Sequence, residues 1–227
     1  MSTSSRYSKA ADLLRRVERE PRNGPLVTEL LDEFFLGYPV ENLVKLIHSD
    51  DEGIVRVGVW LASELGAKCH PILREVSALF DHPSEYVRFF AIDCVLSASN
   101  TSDGDLVAAV TRFLRDPSPA VRSKAIDFFA RIRIEKLSVV LDASESSKLC
   151  TDDVEGIQLI LSSKTSVEKI RQFIESDDPI QRKYGVAAAA RVYSVQQDLL
   201  HVALVSNDDD LAKFADDVIA QSRIRRS

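Results

Sequence analysis

Residues 113–132, FLRDPSPAVRSKAIDFFARI, carry the pattern that most restricts how this chain can fold. An apolar segment (Val110, Phe113, Leu114) runs into the turn Asp116-Pro117-Ser118-Pro119, and a second periodic segment begins at Ala120. Val121, Ala125, Phe128, Phe129 and Ile132 recur at helical spacing and predict one buried face. Arg122 stands in the first turn of that second helix, six residues after Asp116.

Three other stretches align on the arginine. Residues 43–66 read LVKLIHSDDEGIVRVGVWLASELG, residues 76–97 read VSALFDHPSEYVRFFAIDCVLS, and residues 170–193 read IRQFIESDDPIQRKYGVAAAARVY. Their arginines, Arg56, Arg88, Arg122 and Arg182, are 32, 34 and 60 residues apart, and the last step is two periods of 30. One degenerate copy must therefore lie between Arg122 and Arg182. Residues 137–161 fill that place, with a turn at 144–153 and no arginine, and a weak sixth copy follows 207–210. Self-similarity at this period predicts stacked helix pairs.

The pattern resembles the HEAT repeat family. An apolar helix, an Asp/Pro turn and then Val-Arg-x-x-Ala match at Val55-Arg56, Val87-Arg88-x-x-Ala91 and Val121-Arg122-x-x-Ala125. Gln181-Arg182-x-x-Gly185 matches in part, and the copies around Asp153 and Lys213 depart from it. The resemblance covers roughly residues 40–222. It implies an all-α fold, a right-handed α-solenoid of about six helix pairs, read as one domain over 1–227 with an N-terminal capping helix within 1–24.

In chain order, residues 8–19 place Ala10, Ala11, Leu14 and Val17 at helical spacing, with Arg15, Arg16 and Arg19 on the other face. Such a polar face is what the end of a repeat array requires. Pro25 can open the next helix at its first position. From residue 40 onward, helices of ~10–15 residues alternate with turns that offer Ser, Thr, Asp or Asn as caps. One such turn is expected at 163–165. No stretch alternates with a period of two, so no β-sheet is expected.

Composition narrows the function. A net charge of −6 argues against a general nucleic-acid binder, since that affinity comes from Lys and Arg neutralising phosphates. Residues 142–217 hold eight Lys/Arg against fifteen Asp/Glu, whereas residues 1–24 hold six against three. Cys69, Cys94 and Cys150 are widely spaced and form no CxxC, and Cys94 falls on a predicted core face. Reduced thiols suggest a cytoplasmic setting. No secretory leader and no apolar run of transmembrane length is read in the sequence, so no membrane partner is expected.

The recurring charges suggest a ladder. A cation in the first turn of a helix opposes the helix dipole and asks for a compensating partner. Asp50, Asp81, Asp116 and Asp177 precede Arg56, Arg88, Arg122 and Arg182 by five to seven residues. Stacking would set the two rows side by side, each guanidinium bridging carboxylates within and between repeats.

No catalytic residue, metal site or cofactor is expected. His48, His70, His82 and His201 are scattered, none in HExxH, and neither GxGxxG nor GxxxxGK[ST] nor GxSxG occurs. Alkylation-repair DNA glycosylases share HEAT-like repeats and are the enzyme alternative. They would need a basic concave face bearing aromatic residues and a central carboxylate. Trp60 is the one tryptophan. It occupies the slot of Ile92, Ile126 and Val186 and is expected to pack in the core or between repeats.

What remains is surface. Subtracting the buried slots leaves an outward stripe on each second helix: Val57, Leu61 and Glu64; Phe89, Asp93 and Leu96; Ser123, Asp127 and Arg131; Lys183, Ala187 and Arg191. Together with the acidic turn Asp208-Asp209-Asp210, these are the expected partner-binding residues. The expected function is non-catalytic binding of another protein with a basic contact surface, by a scaffold or a soluble inhibitor. Immunity proteins that neutralise bacterial toxins are one such class.

Overall fold

The computed structural model describes residues 7–142, 149–162 and 166–224. Among them every regular element is a helix. The turn expected at 163–165, and residues 144–148 of the turn expected at 144–153, lie outside the described residues. Where one domain was expected over 1–227, the chain forms two compact units, Met1–Ser99 and Asn100–Ser227. The division falls at the polar turn following the helix that ends at Ala98. Within each unit, helix pairs stack side on in the manner of an α-solenoid.

Unit 1 opens with α1 (Ser8–Arg19) and α2 (Gly24–Phe35). α1 buries Ala10, Leu13, Leu14 and Val17, and Lys9 bridges Glu29 (3.0 Å) and Glu33 (2.8 Å) of α2. The α2 N-terminus is held by Asn23, whose side chain accepts the Leu26 N–H, with Pro25 in the first turn. A 3₁₀ turn, Val40–Leu43, then runs into α3 (Val44–Ile47), and α4 (Glu52–Glu64) packs on it. Next, 3₁₀ turns at Gly66–Ile72 and Ala78–Asp81 flank α5 (Leu73–Ser77), and α6 (Glu85–Ala98) packs on α4.

Unit 2 begins with α7 (Gly104–Ala109), a 3₁₀ segment at Val110–Arg115 and α8 (Pro119–Arg131). All five predicted apolar positions of the 113–132 motif are buried: Val121, Ala125, Phe128, Phe129 and Ile132 are each 0% exposed. Then come α9 (Ile134–Ser138), α10 (Thr151–Leu161), α11 (Val167–Ile174), α12 (Pro179–Val192), α13 (Asp198–Leu204) and α14 (Asp209–Ile224).

In a linear array each repeat touches only its neighbours. Here α12 packs on α8, α10, α11 and α14 at once, and α14 also reaches α8. The degenerate copy around α10 does not separate α8 from α12. α12 thus becomes the axis of unit 2, buried from Lys183 through Ala189. Glycine permits two of its close approaches. A Cβ on Gly185 would lie 2.6 Å from the Ile174 nitrogen of α11, and one on Gly156 of α10 would lie 2.2 Å from the Tyr184 ring.

Candidate interaction surfaces

Three of the four arginines of the expected row, Arg88, Arg122 and Arg182, bond to the turns before them through backbone carbonyls, where turn carboxylates were expected. The Arg122 Nη1 donates to the carbonyls of Asp116 (2.8 Å) and Pro117 (3.0 Å). Arg182 does the same to Ser176 and Asp177 (both 3.0 Å), and Arg88 to His82 (2.8 Å) and Pro83 (2.9 Å). Each guanidinium reaches back five and six residues and ties the turn to the helix that follows it. Carboxylates come from another repeat: Asp210 faces Arg122 Nε at 2.5 Å, and Asp208 faces Arg182 Nη2 at 3.2 Å.

Asp116 contributes its carbonyl to Arg122, while its carboxylate accepts the Ser118 N–H at 2.8 Å. Asp50, Asp81 and Asp177 have exposed side chains. The second acid of a doubly acidic turn is the cap: Asp51 accepts from Ile54 N–H (3.1 Å), and Asp178 from Ile180 (2.7 Å) and Gln181 (2.9 Å). Arg56 departs from the row. It is exposed, stays 3.8 Å from Glu52, and stacks over the Tyr86 ring at 4.3 Å. Arg122→Ala is therefore expected to cost about 1–3 kcal/mol in urea unfolding, because it strands two turn carbonyls and Asp210. Arg56→Ala should be near neutral, and equal losses at the two positions would remove the special role of the row.

The degenerate copy has its own lock. Asp153 of α10 is 4% exposed and receives Arg115 Nη1 on both oxygens (3.0 and 3.1 Å) and the Tyr184 hydroxyl (3.0 Å). Cys150 adds its thiol at 2.9 Å. Burial, then the neighbouring Asp153 carboxylate, raises the Tyr184 pKa well above its usual range. Burial and the bond to Asp153 likewise raise the Cys150 pKa.

The stripe expected to face a partner is partly core. Leu61 is 0% exposed, Ala187 1% and Lys183 7%, so none of them is a surface anchor. In α4 the exposed and buried positions are exchanged relative to expectation, since Trp60 is half-exposed where Ile92, Ile126 and Val186 are buried. Lys183 and Ala187 are covered because α8 and α14 close over α12. The Lys183 Nζ donates to the Leu114 carbonyl at 2.5 Å, and burial lowers its pKa, with Arg122 adding to the effect. Val57, Phe89, Asp93, Leu96 and Asp127 are half-buried, whereas Glu64 and Arg131 are exposed. Phe89 lies edge-on against Phe90, their centroids 5.2 Å apart.

Among the described residues, three cavities bear on the expected surfaces. In unit 1, a groove of about 560 Å³ is walled by Trp60, Val57, Arg56 and Glu52 of α4, Tyr86 of α6 and Arg22 of the α1–α2 turn. In unit 2, a shallow cavity of about 840 Å³ lies beside Arg122, Arg182 and the Asp208-Asp209-Asp210 turn. Two of those three acids are engaged by the arginines, and Asp209 is left exposed. The third, also in unit 2 and about 560 Å³, brings together Asp127, Arg131 and Arg191 of the expected stripe.

No protein-family model matches this chain, and no curated protein matches it. HEAT membership is thus not matched by a family model. Among solved structures the chain is similar to an engineered protein from a structural genomics programme. That pair is 16% identical over 96% of this chain and 92% of the other, with a TM-score of 0.47. It is also similar to a designed armadillo repeat protein in complex with the peptide (KR)4, at 14% identity over 91% of this chain and 90% of the other, TM-score 0.45.

Among the described residues no cluster of His, Cys, Asp and Glu is placed to hold a metal ion. No described helix is long and apolar enough to cross a membrane. The surfaces described present guanidinium groups, aromatic faces and apolar walls. Trp60, expected to pack in the core or between repeats, is the one aromatic in a slot that the other copies fill with Ile or Val, and it is only partly buried.

Proposed function

We propose that this chain is a non-catalytic protein-binding module of helical repeats, and that the unit 1 groove holds its partner. The observation that carries this reading is Trp60. A tryptophan left partly exposed, beside Tyr86 and two arginines, assembles the three residue types that dominate interface hot spots. Structural need does not account for it, because the equivalent slots are filled by buried aliphatics. Arg56, stacked on Tyr86, keeps N–H donors for a partner while its guanidinium face is covered.

Charge plays a separate role. The net charge of −6, with Asp50, Asp81, Asp177 and Asp209 exposed outside the groove, supports a partner that is basic around its contact rather than in the part that meets Arg22 and Arg56. Such a field accelerates encounter and fades with salt, because screening lengths are about 8–10 Å near physiological ionic strength. A soluble inhibitor, such as an immunity protein against a basic toxin, is the specific form of this reading, supported by chain size and net charge. A cytoplasmic setting accords with the reduced thiols.

The same groove holds the residue types that the glycosylase alternative requires, with Glu52 as its carboxylate. The Glu52 side chain is 56% exposed, however, and a carboxylate left in water is poorly placed to activate a nucleophile in a dry site.

The test is capture from native extract followed by binding kinetics on the partner obtained. Trp60→Ala should speed dissociation at least about thirtyfold, the mark of a hot spot. Asp209→Lys should slow association, and rising salt should do the same. Retention unaffected by Trp60→Ala would overturn the groove assignment. Release of bases from alkylated DNA would overturn the non-enzyme reading.

A further inference from the structure

Arg191 of α12 is a half-buried guanidinium with an unusual set of partners. Its Nη1 donates to the carbonyls of Phe129 (2.9 Å), Ala130 (3.2 Å) and Ile132 (2.8 Å), at the C-terminal end of α8. Cations suit that end of a helix, where carbonyls lack intrahelical donors. Those three are its hydrogen bonds among the described residues, and all three acceptors are neutral. Burial lowers its pKa, and among the described residues no carboxylate pairs with it. Asp127 lines the same cavity but is engaged by Arg131 at 3.1 Å, with Lys124 at 3.9 Å. Every other charge on the wall is matched.

The cavity beside it has about 560 Å³, a volume in the range of small-ligand sites. Phe214 and Val218 of α14 give it an apolar wall, and Gln221 and Ser222 add polar groups one turn on. A partly desolvated guanidinium with Nε and Nη2 unused matches a carboxylate in a planar, two-point fork. One unmatched cation calls for one negative charge, which favours a carboxylate over a dianionic phosphate.

We propose that the cavity between α8, α12 and α14 binds a carboxylate attached to an apolar or aromatic group, with Arg191 holding the carboxylate and Phe214 and Val218 the apolar part. This site lies in unit 2 and goes beyond the protein-contact reading of the unit 1 groove, so either can fail while the other stands.

The test uses the full chain, ¹⁵N-labelled, with N-acetyl-L-phenylalanine, its amide, phenyl phosphate and a tetrapeptide ending in phenylalanine as probes. The free acid should shift the amide resonances of Arg191, Tyr193 and Gln221 saturably, and the amide should bind at least about tenfold more weakly, having lost a charged hydrogen bond. Tighter binding of the tetrapeptide would assign the site to a chain terminus, and equal binding to free acids, each within the proposal. Arg191→Gln should abolish binding but also loosens the end of α8. Gln221→Glu changes an exposed side chain and sets a competing carboxylate in the cavity, so it should weaken binding at least about tenfold at unchanged melting temperature. Equal binding of acid and amide, tighter binding of phenyl phosphate, no saturable shift at millimolar acid, or undiminished binding by Gln221→Glu would each overturn it.

Discussion

Asp153→Ala is expected to destabilise the protein by about 3 kcal/mol in urea unfolding. The carboxylate gathers Arg115, Tyr184 and Cys150 at 2.9–3.1 Å, with 6% of its side chain exposed. Removing it leaves a phenol buried without an acceptor and a guanidinium without its counter-charge. Breaking a buried pair from one side typically costs about 3–5 kcal/mol. The lower end applies here because Arg115 keeps 38% of its side chain in water, where screening reduces its loss. Tyr184→Phe should cost less, about 1 kcal/mol, since it removes one donor and leaves the ion pair intact. If Asp153→Ala cost no more than Tyr184→Phe, the lock would not centre on the carboxylate. The raised Tyr184 pKa adds a pH signature. A group whose folded pKa lies above its unfolded value near 10 contributes stability that is complete below about pH 10 and is lost as pH rises beyond it. Tyr184→Phe should remove that alkaline decline.

How much of this was legible in the sequence depends on the range of the interaction concerned. The turn-and-helix unit is local, so the 113–132 motif gave its buried positions correctly from spacing alone. The return of Arg122 and Arg182 to carbonyls five and six residues back is also local, and the recurrence of an arginine a few residues after each acidic turn was its trace. What the motif could not carry was the packing of α8 directly on α12 and α14. Asp210 is 88 residues from Arg122, and no periodic pattern relates the two. Lys183 read as exposed for the same reason: a linear array leaves that face to solvent, and here α14 and α8 cover it. Trp60 and Leu61 exchanged roles because a rotation of α4 by about one residue's worth of turn is below what apolar spacing can resolve. The missing arginine of the degenerate copy has a physical sense only in three dimensions. Asp153 inverts the charge there, and Arg115 from the preceding copy supplies the cation.

Gly185→Ala is expected to destabilise by about 2 kcal/mol, although alanine is the better helix former and stands at this position of the motif as Ala91 and Ala125. The added Cβ would meet the Ile174 nitrogen at 2.6 Å and the Phe173 carbonyl carbon at 2.9 Å, both backbone atoms of α11. A side chain can rotate away, but a helix backbone moves only with everything packed on it. Relief would have to separate α11 from α12, the helix on which unit 2 is built. Overpacking of this kind costs about 1–3 kcal/mol or more, and the gain in helix propensity of up to about 1 kcal/mol offsets part of it. The partial match of the 170–193 copy to its motif is then a packing requirement rather than drift, since glycine is what lets the two helices touch. Gly24→Ala is the control. A Cβ there meets nothing within 4 Å, so the change should be neutral or stabilising by up to about 1 kcal/mol. Opposite signs at the two glycines, read from urea midpoints at constant slope, are the expected result. A Gly185→Ala protein as stable as the parent would mean that α11 and α12 are not in the contact described.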